Sequence, residues 1–175
     1  YDLWQTRVDD VARILSMEQG KPYEAEAKDD IAESGDYFQI AAEDVKRLTG
    51  ELIPTTSRHR RMFTVRRPVG VWIAITPWNF PVMIPMEYVG PGLATGNALI
   101  VKPPEFTCWA LLEMAKVFEE AGVPKGAISI VPGAGDIGDY HIGRGDAGEV
   151  VDPRLGGEGY GAKRAGSGRT VGART

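Results

Sequence analysis

The chain has 175 residues, 43% of them hydrophobic and 25% charged, ordinary values for a globular protein with a core of its own. Its net charge of -4 gives no basis for a nucleic-acid or anionic-membrane partner. The single cysteine, Cys108, excludes an intrachain disulfide and suits a reducing, cytoplasmic setting, and the two isolated histidines, His59 and His141, do not make a metal site. No apolar run approaches the roughly 20 residues that span a bilayer, and no basic start leads into an apolar stretch as in a secretory signal. The chain opens at Tyr1 already in polar helical sequence, which suggests a start further upstream.

In chain order, Val8, Val11 and Leu15 predict an amphipathic helix over 3–17, stopped by Gln19-Gly20-Lys21-Pro22. A longer helix is expected over 23–49, with Ile31, Phe38, Ala42, Val45 and Leu48 as its stripe and Gly50 as its end. Residues 51–68 change character. Met62 to Arg67 alternate as a solvated strand does, and Arg58, His59, Arg60 and Arg61 before it read more simply as a charged edge or turn than as an anion site. Residues 69–77 are nearly continuously apolar, as in a strand buried on both faces. A helix over 82–96, a strand at 98–101, a helix over 107–121 and a strand at 128–131 follow, each helix closing on a glycine.

Strand, helix, strand, helix, strand is a β-α-β-α-β unit. The expected class is α/β with a doubly wound parallel sheet, a partial Rossmann-like domain at 69–142, preceded by N-terminal helices at 1–50 and the solvated strand segment at 51–68. Ligands in such sheets bind beyond the carboxyl ends of the strands. Those ends are Thr76-Pro77-Trp78-Asn79, Lys102-Pro103-Pro104-Glu105 and Gly133-Ala134-Gly135. Residues 143–175 hold ten glycines and few large apolar residues, and carry about +2 against about -6 for the rest, so an irregular or disordered tail without a further strand is expected there.

Each rim cluster has two readings from its own residues. Asn79, braced by prolines and aromatics, can donate its amide to a developing oxyanion, or can be a turn asparagine satisfying its own backbone. Lys102 and Glu105 can meet a ribose diol or phosphate, or can form an exposed pair at the start of the next helix. Gly133, Gly135 and Gly138 fit G-x-G-x-x-G, but after the third strand rather than the first, so a plain turn is as good a reading. Cys108 has no base placed in sequence to activate it and reads as a packed helix residue.

Taken together and in order, Glu18-Gln19-Gly20-Lys21-Pro22, Thr76-Pro77-Trp78-Asn79-Phe80-Pro81, Gly90-Pro91-Gly92-Leu93-Ala94-Thr95-Gly96-Asn97, Val101-Lys102-Pro103-Pro104-Glu105-Phe106-Thr107 and Ala121-Gly122-Val123-Pro124-Lys125-Gly126 resemble the aldehyde dehydrogenase superfamily. The resemblance covers about residues 1–142. It implies oxidation of an aldehyde, semialdehydes included, to a carboxylate with NAD or NADP, by a homo-oligomeric cytoplasmic enzyme. It implies that Asn79 helps hold the oxyanion. It also implies that Ile75, Thr76, Pro77 and Trp78 line the nicotinamide-ribose side, that Lys102, Pro104 and Glu105 form the adenosine-ribose segment, and that Gly135 lies near the adenine. A glutamate at 105 points to NAD, since it would repel a 2′-phosphate. The family's catalytic cysteine and general-base glutamate are expected beyond these residues. The chain is thus expected to be a fragment inactive alone. The fading of the resemblance near Gly143 points to a frame error or junction. A non-catalytic nucleotide-binding module and an acyl-CoA-forming relative are the competing functions.

Overall fold

The structure, a computed structural model, describes residues 1–144 and, beyond them, the backbone of residues 149–152, 161–163 and 170–172. Two N-terminal helices, α1 (Asp2–Gln5) and α2 (Val8–Gln19), come first. Helix α2 ends on Gly20 in the left-handed conformation, φ 80°, which a glycine adopts without the steric penalty of a Cβ. A single π-turn, Tyr23–Ala27, leads into α3 (Lys28–Val45). The helix expected over 23–49 is therefore shorter and ends before Leu48. Its stripe is also displaced. Asp30, Ile31, Ser34, Gly35 and Ala41 are buried, whereas Ala42 and Leu48 are exposed. What a helix packs against sets its stripe. The next helix of the core crosses α3 at Gly90, where a Cβ would stand 2.8 Å from the Tyr37 carbonyl oxygen and 3.5 Å from the Ala41 Cβ.

The solvated segment is a two-stranded antiparallel ladder, β1 (Leu52–Ile53) with β2 (Met62–Phe63), exposed on every residue. It is shorter than the alternation of 62–67 suggests. Then come β3 (Val71–Ile75), α4 (Met83–Ala94), β4 (Ala98–Lys102), α5 (Trp109–Glu120), β5 (Ile128–Ile130) and α6 (Gly135–Arg144). Strand β3 runs parallel to β4 in register from Val71↔Ala98 to Ile75↔Lys102, and β4 runs parallel to β5. Side chains alternate between faces with period two. Ala74, Leu99 and Val101 enter the main core with Leu15, Ile31, Met86, Leu111 and Met114. Ile73 and Ile75 pack on the opposite face with Ile100. The expected burial of this strand on both faces is observed, as parallel sheets require.

The tail differs from expectation. Three short strands occur in it: β6 (Glu149–Asp152), β7 (Gly161–Lys163) and β8 (Thr170–Gly172). Strand β6 pairs parallel with β3 from Trp72↔Glu149 to Ala74↔Val151. Two adjacent β-branched residues, Val150 and Val151, suffice for a ladder against the open edge of β3, although the segment holds few large apolar residues. The irregularity expected for 145–148, 153–160, 164–169 and 173–175 lies outside the described residues. The sheet order is β5-β4-β3-β6-β7-β8, so the chain winds outward from β3 in both directions. Crevices in such sheets open at the carboxyl end of the strand where the order reverses.

The amino end of that strand is fixed by Asn97, which does more than stop a helix. Its Oδ1 accepts from the amides of Val69 (2.7 Å) and Gly70 (3.0 Å), and its Nδ2 donates to the Gly92 carbonyl (3.3 Å) and the Thr95 hydroxyl (2.9 Å). Asn97→Ala leaves two amides without their acceptor, a loss of about 1–3 kcal/mol. Urea denaturation should show that drop, whereas an unchanged midpoint would mean water replaces the clamp at no cost.

Candidate functional site

Because Ile75 and Lys102 are register partners, the segments that follow β3 and β4 leave the sheet side by side. The Thr76 amide extends the ladder by donating to the Lys102 carbonyl at 3.1 Å. Ile75 and Thr76 are buried, Pro77 is half-buried, and Trp78 and Asn79 face outward, Trp78 being 65% exposed. Pro81 and Val82 turn back into the core. Among the described residues, the Asn79 side-chain amide makes no hydrogen bond. Its carbonyl is engaged instead.

On the neighbouring strand, Lys102 is buried at 5% exposure, and its Nζ lies 4.0 Å from Glu105 Oε2, whose side chain is partly exposed. The pair expected from the spacing is present, with the lysine deeper than an exposed pair would be, because β4 lies between β3 and β5. Pro103 is buried and Pro104 half-buried between them. Of the three glycines, Gly133 is explained by packing, whereas Gly138 has room for a Cβ at ordinary contact distance. A Cβ at Gly133 would meet Ile137 Cγ1 at 2.6 Å, and one at Gly138 would meet Ile75 Cδ1 at 3.4 Å. At Gly135, where α6 begins, a Cβ would meet nothing within 4 Å, so the peptide borders open space.

A set of residues read only as a helix stop and part of the resemblance proves to hold both rim segments. Gln19 Nε2 donates to the carbonyls of Trp78 (2.8 Å) and Asn79 (3.3 Å). Lys21 Nζ donates to the Asn79 carbonyl at 3.0 Å and to Asp30 Oδ2 at 2.6 Å, and sits 4.1 Å from the centre of the Phe80 ring. Glu18 accepts from the amides of Trp109 (2.7 Å) and Ala110 (3.2 Å), the first turn of α5. Those amides have no partner within the helix, and a carboxylate suits the positive end of its dipole. The sequence held one signal for this. Asp30 shares the buried face of α3 with Ala27, Ile31 and Ser34, and a carboxylate on an apolar stripe needs a partner. Burial raises the Asp30 carboxyl above its ordinary range, and the Lys21 ammonium pulls against that shift.

Cys108 is the cap residue of α5 and half-buried. Burial raises its thiol pKa, and the charge of Glu18 adds to the shift. Thiolate chemistry needs the opposite environment. One groove, about 730 Å³, is lined by Glu51, Arg66, Arg67, Trp72 and Asn97 among others, at the amino ends of the strands. None of the expected site residues borders it. No group of three or more His, Cys, Asp or Glu could hold a metal ion among the described residues, and no helix there is long and apolar enough to cross a membrane.

A model of the aldehyde dehydrogenase family matches residues 1–147. The chain is 41% identical over 139 residues to the glutarate-semialdehyde dehydrogenase of Pseudomonas aeruginosa, covering 79% of this chain and 29% of that one. It superposes on the crystal structure of succinate-semialdehyde dehydrogenase from Burkholderia pseudomallei with a TM-score of 0.81 at 43% identity, covering 85% of this chain and 31% of that chain. The NAD+ complex of an aldehyde dehydrogenase from Bacillus cereus gives 0.81 at 35% identity, covering 85% and 30%. The chain thus spans less than a third of the length of each of these proteins.

The environment of Cys108 is directly testable. Its alkylation rate should rise with pH along a curve displaced above that of an ordinary free thiol, and Glu18→Gln should move the curve down. A curve at or below the free-thiol position would contradict the burial and charge described here.

Proposed function

The chain belongs to the aldehyde dehydrogenase family, and on that premise we propose that it supplies the oxyanion-holding asparagine and part of the cofactor site of an enzyme that oxidises an aldehyde to a carboxylate with NAD(P). Two of the similar proteins are semialdehyde dehydrogenases by name, which supports a semialdehyde as the substrate class. The observation that carries the reading is the position of Asn79. It sits just beyond the carboxyl end of the strand where the sheet order reverses, with its carbonyl clamped and its side-chain amide free to donate.

The residues present fit a dinucleotide. Thr76 Oγ1 is buried without a hydrogen-bond partner among the described residues. Lys102 offers an ammonium whose paired carboxylate stands 4.0 Å away, leaving both groups able to reach a diol. The peptide at Gly135 is open to close approach. Lys102 and Glu105 would hold ribose hydroxyls through donation and acceptance respectively, and Ile75 to Trp78 would border the nicotinamide end, with Pro104 stiffening the ribose segment and Gly135 beside the adenine. The Glu105 charge disfavours a 2′-phosphate, so NAD is the better fit. The cofactor, when bound, accepts the hydride.

When a nucleophile adds to the aldehyde carbon, its oxygen gains negative charge. A preplaced amide donor stabilises that charge without reorganising at the moment of reaction. Asn79 Nδ2 is the donor. Cys108 is not the nucleophile, because burial and the nearby Glu18 charge disfavour its thiolate and it caps α5. The 175 residues by themselves therefore supply binding and oxyanion stabilisation rather than the bond-forming group.

In the full-length enzyme, Asn79→Ala should lower kcat by about 10²–10³, roughly 3 kcal/mol of barrier, with cofactor affinity little changed. Steady-state kinetics with a semialdehyde, beside a fluorescence titration with NADH, would check this. A kcat within twofold of the parent enzyme would remove Asn79 from the chemistry.

A further inference from the structure

Resting on the oxyanion role proposed for Asn79, we infer that Lys21, backed by Asp30 and assisted by Gln19, is a positioning residue for the reaction, aiming the Asn79 amide by fixing the peptide that follows it. Three sides of the ammonium are occupied. Asp30 Oδ2 lies at 2.6 Å, the Asn79 carbonyl at 3.0 Å, and the Phe80 ring centre at 4.1 Å. The carbonyl and the ring flank the same peptide bond, so the ammonium grips both ends of the Asn79–Phe80 link. Gln19 holds the preceding carbonyl, that of Trp78, at 2.8 Å. Two consecutive peptides around Asn79 are thus pinned from outside their own loop. The side chain between them is left the freedom to meet a substrate oxygen, and little freedom in where its Cβ starts.

Stability alone is a poor reason for this arrangement. Lys21 and Asp30 are 8% and 3% exposed, and a buried ion pair returns little over an apolar pair of the same volume, because both charges lose their hydration. What it supplies is direction. An ammonium held on one side by a carboxylate donates along a fixed line on the other, and an oxyanion donor works only if its geometry is set before the charge appears. A misplacement on the order of 1 Å lowers a rate by as much as a hundredfold.

The test is a mutant cycle in the full-length enzyme: Lys21→Met, Gln19→Ala, Asn79→Ala, and each of the first two combined with the third. For each, kcat and KM for a semialdehyde, NADH affinity and melting temperature are measured. Lys21→Met should lower kcat by about ten- to a hundredfold with NADH affinity unchanged. Gln19→Ala should lower it less, in the same direction. Because both act through Asn79, the double variants should be no slower than Asn79→Ala alone. A folded Lys21→Met with unchanged kcat, or double variants whose losses multiply, would overturn the inference. If Lys21→Met does not fold, the Gln19→Ala cycle decides by the same criterion. A normal kcat in Asn79→Ala overturns the oxyanion reading itself, whereas a slow Asn79→Ala beside multiplying losses overturns the positioning role alone.

Discussion

A lysine and an aspartate buried against each other at 2.6 Å form the constraint on which the rim of this sheet depends. Neither side chain could be buried alone without a desolvation penalty of several kcal/mol. Asp30 arrives on the inner face of α3, and Lys21 arrives just past the left-handed turn at Gly20. Their meeting ties the end of α2 to α3, and the remaining capacity of the ammonium ties both to the loop after β3. With Gln19 on the same loop and Glu18 on the first turn of α5, three residues within one four-residue stretch reach the segments that follow both central strands. The rim is therefore held from the helical layer as well as from the sheet.

The sheet supplies the other half of the placement. Parallel register from Val71↔Ala98 to Ile75↔Lys102 brings two carboxyl ends level, and winding outward from β3 puts the crevice between its two halves there. Rim residues that look scattered in sequence, at 76–79, 102–105 and 133–135, converge because parallel strands all end on the same side. The family relation then gives this convergence its chemical meaning, with Asn79 as donor and Lys102 and Glu105 as ribose partners under the proposed function.

Much of this was legible in the residues. Continuous apolar runs announced β3, β4 and β5, and the helical lengths between them forced parallel pairing. The fate of Asn79, Lys102 and Glu105 was not decided by their immediate neighbours, since a turn asparagine and an exposed ion pair fit the same spacing. Only the ordered set of motifs separated the readings. The brace was less legible, because hydrogen bonds from residues 18–21 to residues 78–110 depend on tertiary contact and leave no periodicity. The end of α3 departs from its sequence pattern for a related reason. Its buried stripe follows the close crossing at Gly90 rather than its own strongest apolar residues. Strand β6 leaves little signal in the sequence because two valines against an open strand edge are enough for a short ladder.

The brace is a local device, distinct from the general stability of the core, and amide hydrogen exchange on the chain separates the two most directly. Gln19→Ala should speed exchange at Ile84 and Met86, whose amides bond to Phe80 and Val82 at the start of α4. Glu18→Gln should speed it at Trp109 and Ala110. In both variants the Leu99 and Val101 amides, in the middle of the sheet, should exchange as in the parent chain. Equal acceleration everywhere, or none at the two rim segments, would contradict a local brace.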